Sequence, residues 1–184
     1  MKRALKLGFL AVSLLIAGLV VYYLIVIINA RRETPELVNN ILRSEQMQLE
    51  LTDLTDRQLD ALLKVQDANF YHHKGYDFET PGTGLTSLSQ GLVKLYYFNK
   101  FKPGIAKIEQ TLIARYAFDA LTPKDTILKL FVNNAYLGQG DSGPIYGFEP
   151  AAHYHFHKKF VELSWEECLS LIAMIRAPDA FHYL

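Results

Sequence analysis

Residues 65–77, V-Q-D-A-N-F-Y-H-H-K-G-Y-D, bring amide, carboxylate, imidazole, aromatic and glycine groups together directly after an amphipathic pattern. A loop of that composition is more often a site than a spacer. Asp67 offers a carboxylate, whereas the Gln66 amide takes no proton near neutral pH. The plain alternative is a solvated helix end with a turn at Gly75. A second group lies in residues 85–98, L-T-S-L-S-Q-G-L-V-K-L-Y-Y-F, a helix candidate beginning near Thr86. Thr86, Ser87, Ser89 and Gln90 crowd its first turn and Lys94 follows. Free N–H groups and the positive end of the helix dipole make such a terminus suited to an anion, and the side chains add donors. Ordinary N-capping explains the same residues. Beyond it, Y-Y-F-N-K-F-K-P-G forms an aromatic and basic loop, and Lys102 and Lys107 bracket the start of the next helical pattern.

The elements that must position these groups are written in local signals. Thr55-x-x-Gln58 has capping-box spacing, and Leu59, Leu62, Leu63 and Gln66 recur at three and four. A helix is therefore predicted from about residue 56 to 66, delivering Gln66 and Asp67 to its C-terminal end. Pro81, Gly82 and Gly84 preclude regular structure before Thr86. Residues 105–118 read as a helix through Ile108, Leu112 and Ile113, on which Glu109 and Gln110 are, in the plain reading, solvated positions. Thr122-Pro123 announces another helix through Ile127, Leu128, Leu130 and Phe131 to Leu137. Ser164-x-x-Glu167 is a further capping box before a helix lined by Trp165, Leu169, Leu171, Ile172 and Ile175. Cys168 sits in that apolar pattern as a small buried side chain. The alternation H-Y-H-F-H at residues 153–157 would suit a metal only if His153, His155 and His157 shared one face of an extended strand.

With 184 residues and 50% hydrophobic content, the chain holds one domain and a membrane segment. Residues 7–28 carry no charge, and about 22 residues at 1.5 Å each span the roughly 30 Å hydrocarbon core. No small-x-small cleavage signal is evident, so an uncleaved anchor is predicted. Lys2, Arg3 and Lys6 precede it, which leaves the N-terminus cytoplasmic and the domain on the outer face. Tyr22 and Tyr23 fall inside the apolar run and are expected to reach a neighbouring helix. Residues 33–54 read as a membrane-proximal connector and 55–184 as the domain. The formal net charge is zero, and neither a basic stripe nor a nucleotide-binding glycine loop is visible, so a nucleic-acid partner is not expected.

The arrangement resembles the peptidoglycan glycosyltransferases, glycosyltransferase family 51. Asp67, Phe70, His73, Gly75 and Asp77 match the first motif, Glu-Asp-x-x-Phe-x-x-His-x-Gly-x-Asp, with Gln66 at its catalytic glutamate. Gly84, Thr86, Ser87, Ser89, Gln90 and Lys94 match the second, Gly-x-Ser-Thr-Ile-Thr-Gln-Gln-x-x-Lys-Asn, with Gly91 and Leu95 departing. Ala106-Lys107-Ile108-Glu109-Gln110 stands at Arg-Lys-x-x-Glu, keeping the lysine and placing Gln110 at the second glutamate. Asn133, Tyr136, Gly138, Gly147, Ala151 and Ala152 fit the fourth motif, and the helix after Ser164 resembles the fifth.

The resemblance implies a mainly α, lysozyme-like domain behind one transmembrane helix, in the bacterial cytoplasmic membrane. The implied activity is polymerisation of lipid-linked disaccharide-pentapeptide into glycan strands with inversion. Catalytic positions are then Gln66, Asp67 and Gln110. Phe70, His73, Thr86, Ser87, Gln90, Lys94, Lys102, Lys107, Asn133 and Tyr136 contact substrate, with room for a divalent cation at the pyrophosphate. Implied partners are the precursor, the growing strand, the membrane and other cell-wall synthesis proteins. Because both usual glutamates are glutamines, the alternative is a catalytically silent relative that binds precursor or scaffolds assembly.

Overall fold

A single helix, α1 (Lys2–Leu42), opens the computed structural model, which describes residues 2–77 and 86–178. The turn expected at Pro81, Gly82 and Gly84 and the last six residues lie outside that range. Its most apolar window has a mean hydropathy of 2.8 and none of it is buried, so α1 is long and apolar enough to cross a membrane. Anchor and connector, separate segments in the sequence reading, here share one unbroken helix with Pro35 inside it. Proline removes one backbone donor. Tertiary contacts carry the helix past it, because Ala30, Thr34 and Val38 are buried against the domain. Thr34 donates to the Ala30 carbonyl at 2.6 Å and meets the Tyr97 hydroxyl at 2.7 Å.

The domain is mainly helical, in line with the family resemblance: α2 (Asp56–Gln66), α3 (Leu88–Tyr97), α4 (Ile105–Ile113), α5 (Asp119–Leu121), α6 (Lys124–Asn134), α7 (Phe148–Phe156) and α8 (Trp165–Met174). Thr55 and Ser164 form the two expected capping boxes, with Gln58 and Glu167. Arg57 stacks on Trp165 at 3.8 Å, joining the starts of α2 and α8. The pattern over 105–118 stays helical but winds as a π-helix at Ala114–Phe118, a distortion frequent near functional sites. Leu62, Leu92, Phe118, Ile127, Leu130, Phe148, Phe160 and Leu171 fill the centre. Cys168 is buried there, and burial pushes its thiol up to about 11.

One expectation is corrected. The helix predicted to run to Leu137 stops at Asn134, where Ala135 turns extended, and residues 136–146 form an antiparallel hairpin, β1 (Tyr136–Gly140) and β2 (Gly143–Tyr146). Tyr136 pairs with Tyr146 and Gly140 with Gly143. The histidine alternation falls on α7, so its period of two does not place His153 and His155 on one face, and His157 ends the helix in a left-handed conformation. Among the described residues, no group of three histidine, cysteine or acidic side chains could hold a metal.

Helix α1 also packs against α4 and the π-helical turn. Tyr22, inside the apolar run, donates to Glu109 on α4, and Arg31 donates to the Tyr116 carbonyl. The anchor is thus bonded to the helix that carries Lys107 and Gln110.

Candidate active site

The end of α2 and the start of α3 are stitched together by two motif residues. Asp67 caps α2 at 2% exposure. One carboxylate oxygen meets His73 Nε2 at 2.7 Å and the other accepts the Leu88 N–H at 3.0 Å, at the first turn of α3. A carboxylate suits that positive terminus. Ser87 donates to the Gly75 carbonyl at 2.6 Å, and Gly75 itself, at φ +86°, presses on the backbone of Ala114. Phe70 is buried behind this loop under the Lys124 ammonium, 4.6 Å from its ring.

Capping absorbs part of the polar helix start. Ser87 accepts from the Gln90 N–H, Gln90 Oε1 accepts from the Ser87 N–H, and Gln90 Nε2 donates to Thr111 Oγ1 at 2.9 Å. Thr86 remains exposed, with Lys107 donating to its hydroxyl at 3.3 Å. Burial, and then the nearby Lys94 charge, lower the Lys107 pKa from its ordinary value.

Thr86 and Ser87 open onto a cleft of about 770 Å³ that is also lined by Gln66, Lys94, Tyr136, Ile175 and Pro178. Arg176 donates twice to the Val65 carbonyl at the end of α2, as a cation should at a helix C-terminus. Gln66 faces this space with its Nε2 buried and unpartnered.

The remaining positions lie elsewhere. Gln110 is 1% exposed and does not line the cleft; its Nε2 donates to the Gln90 carbonyl at 2.6 Å and its Oε1 has no partner. Asn133 is turned to the chain after α1, accepting the Gln48 and Leu49 N–H groups at 2.8 and 2.9 Å and donating to the Leu49 carbonyl. Its neighbour Asn134 is the one on the cleft wall. Lys102 is exposed beside the cleft-lining Phe98 and Phe101 and does not itself line it. Phe98 and Phe101 also line it, from the aromatic loop at 96–104, as does Tyr146 from the end of β2, a residue with no signal in the sequence. Among the described residues, amides, hydroxyls and the single ammonium of Lys94 make up the polar lining, a set unsuited to a resident divalent cation, which prefers carboxylate oxygens.

The profile of the transglycosylase family matches residues 34–184. The chain belongs to the transglycosylase family. A transglycosylase of Cupriavidus necator is 30% identical over 65% of this chain and 55% of its own length. Penicillin-binding protein 1B of Escherichia coli is 29% identical over 69% of the chain and 16% of its own length, and penicillin-binding protein 1F of Bacillus subtilis 26% over 71% and 20%. The chain thus spans about half of the first relative and a small part of the others. Gln66 lies on the cleft wall, whereas Gln110 is buried away from it.

A pH dependence follows from the paired lysines. Lys107 is the base whose folded pKa is depressed, so it loses its charge at lower pH than an ordinary lysine. Anion binding that needs this charge should weaken as pH rises through that depressed value. Lys94→Ala removes the repelling neighbour and should shift the midpoint to higher pH while lowering affinity overall. Titrating inorganic pyrophosphate against both proteins across the alkaline range checks this; equal midpoints would show that the two ammonium groups do not share the anion.

Proposed function

We propose that this chain is a membrane-bound peptidoglycan glycosyltransferase that polymerises lipid-linked disaccharide-pentapeptide with inversion. The observation that carries the reading is one cleft with Gln66 on its wall, Thr86 just before α3 and Lys94 in the last turn of α3, beside Lys107 on a helix bonded to the anchor. In the reaction an acceptor hydroxyl attacks the anomeric carbon, the bond to the pyrophosphate oxygen breaks, and the pyrophosphate leaves with the electron pair. Lys94 and Lys107 offset its charge and Thr86 donates to it. The hydroxyl proton needs a base, and Gln66 is an amide. Asp67 lies next in sequence, but both its oxygens are engaged and it lies off the cleft. Turnover without a positioned base is expected to run about 10²–10⁴-fold below that of a glutamate-bearing site. Binding is expected to persist.

Polymer formation from labelled lipid-linked precursor tests the reading, with precursor binding measured in parallel. Binding without polymer would favour a second reading, a silent member that holds precursor or scaffolds assembly. One feature supports that alternative: Gln110 donates to a backbone carbonyl, a bond that an ionised glutamate cannot make.

The anchor is expected to run from a cytoplasmic N-terminus to an outer-face domain, because Lys2, Arg3 and Lys6 precede the apolar run. Protease added to intact spheroplasts should digest the domain. Full protection, with digestion only after lysis, would reverse the orientation. Exposed Ile105 and Ile108 sit on α4, the helix bonded to Tyr22 within the apolar run, so α4 is expected to lie at the membrane surface.

A further inference from the structure

Lys94 and Lys107 carry like charges toward one anion, and each works against the other's presence. Lys107 donates to the Thr86 hydroxyl, and after burial the Lys94 charge is what lowers its pKa. Lys94 is exposed in the last turn of α3, at the end of a flexible four-carbon stem. No ion pair among the described residues holds it. Repulsion alone would swing this ammonium away from Lys107. What meets it instead is the ring of Phe101, whose centroid lies 5.4 Å from Nζ. The negative face of an aromatic ring attracts a cation at that range without neutralising it, so the charge stays available to an anion.

The ring is placed by the turn out of α3. Phe98 ends that helix in an extended conformation, at φ −127° and ψ 112°. Had the helix continued, the seven residues from Lys94 to Phe101 would have set the two about 10 Å apart along its axis. The turn brings the ring back to the lysine. Phe101 is half-buried and meets Phe98 edge to face, with centroids 5.4 Å apart and planes at 83°, and Phe98 in turn packs on the core. A contact of that geometry fixes the tilt of the ring. Lys94, Phe98 and Phe101 all line the cleft, so the ammonium is held on the cleft wall rather than released to solvent.

We infer that Phe101 is a positioning residue of the transfer site, whose ring face holds the Lys94 ammonium beside Lys107 so that both cations meet the departing pyrophosphate together. This rests on the glycosyltransferase reading, which gives the two lysines their anion. The ring touches no reacting atom and acts only through Lys94.

The full chain in detergent is titrated with inorganic pyrophosphate. Phe101→Leu keeps an apolar side chain and removes the ring face, and affinity should fall about threefold or more. Phe101→Tyr keeps the face and should bind nearly as the parent does. Difluoro- and trifluorophenylalanine placed at this position keep the shape of the ring while withdrawing negative charge from its face. Affinity should then fall stepwise toward that of Phe101→Leu, at unchanged melting temperature, a response that a merely space-filling ring would not give. In the Lys94→Ala background Phe101→Leu should cause no further loss, because the two residues act as one unit.

Equal affinity of the Phe101→Leu variant and the parent, a flat response to fluorination, or an undiminished loss from Phe101→Leu in the Lys94→Ala background overturns the inference while the parent still binds. Failure of the glycosyltransferase reading looks different: the parent itself then binds neither pyrophosphate nor the lipid-linked precursor, and the inference falls with it.

Discussion

Gln66→Glu is expected to raise glycan polymerisation by at least about tenfold, the low side of what a positioned general base contributes. Gln66 ends α2, its carbonyl neighbour Val65 is held by Arg176, and its side chain lies on the cleft wall. Its Nε2 is buried without an acceptor, so exchanging the amide for a carboxylate removes an unpartnered donor and breaks no hydrogen bond. Lys94 on the same cleft favours the ionised form and thus a side chain able to accept a proton. Rates of polymer formation from labelled precursor measure the gain. Asp67→Asn in the Gln66→Glu background should change turnover much less. If Asp67 were the base, the pattern would invert: little gain from Gln66→Glu and a large loss from Asp67→Asn in the parent. Gln110→Glu should bring no comparable gain, because a buried carboxylate there would face the Gln90 carbonyl.

Gly75→Ala should destabilise the domain by about 3 kcal/mol or more, combining left-handed backbone strain with overpacking. At φ +86° a Cβ would stand 2.6 Å from the Ala114 carbonyl oxygen and 2.8 Å from Arg115 Cα. Both are backbone atoms of the π-helical turn, so no flexible side chain can yield. Movement of Gly75 would also pull its carbonyl from Ser87 and loosen the start of α3. Thermal unfolding followed by circular dichroism reads the effect. Gly91→Ala is the control, since only Phe131 comes within 4 Å, at 3.7 Å, and alanine favours a helix interior. Equal melting of the Gly75→Ala variant and the parent would contradict this close approach.

What the chain specifies locally could be read before any fold was known. The charge-free run at 7–28 depends only on its own residues, as do the boxes at Thr55/Gln58 and Ser164/Glu167, whose partners lie three residues apart. The boundaries of α2 were legible for that reason, and the ordered motifs led to the transglycosylase family. Positions whose partners lie far along the chain were not legible. Asn133 and Asn134 are chemically alike, yet the first clamps the Gln48 and Leu49 backbone, 84 or 85 residues away, and the second borders the cleft. Gln110, open in the sequence to a solvated or a catalytic reading, is buried against Gln90, because α3 and α4 pack on that face. Pro35 signals a helix break locally, and burial of Ala30 and Val38 against the domain outweighs the one hydrogen bond it removes. Residue types and short spacings therefore determined the anchor, the caps and the candidate chemistry. Tertiary packing decided which amide reaches the cleft, because a side chain's direction and burial depend on neighbours that sequence spacing does not record.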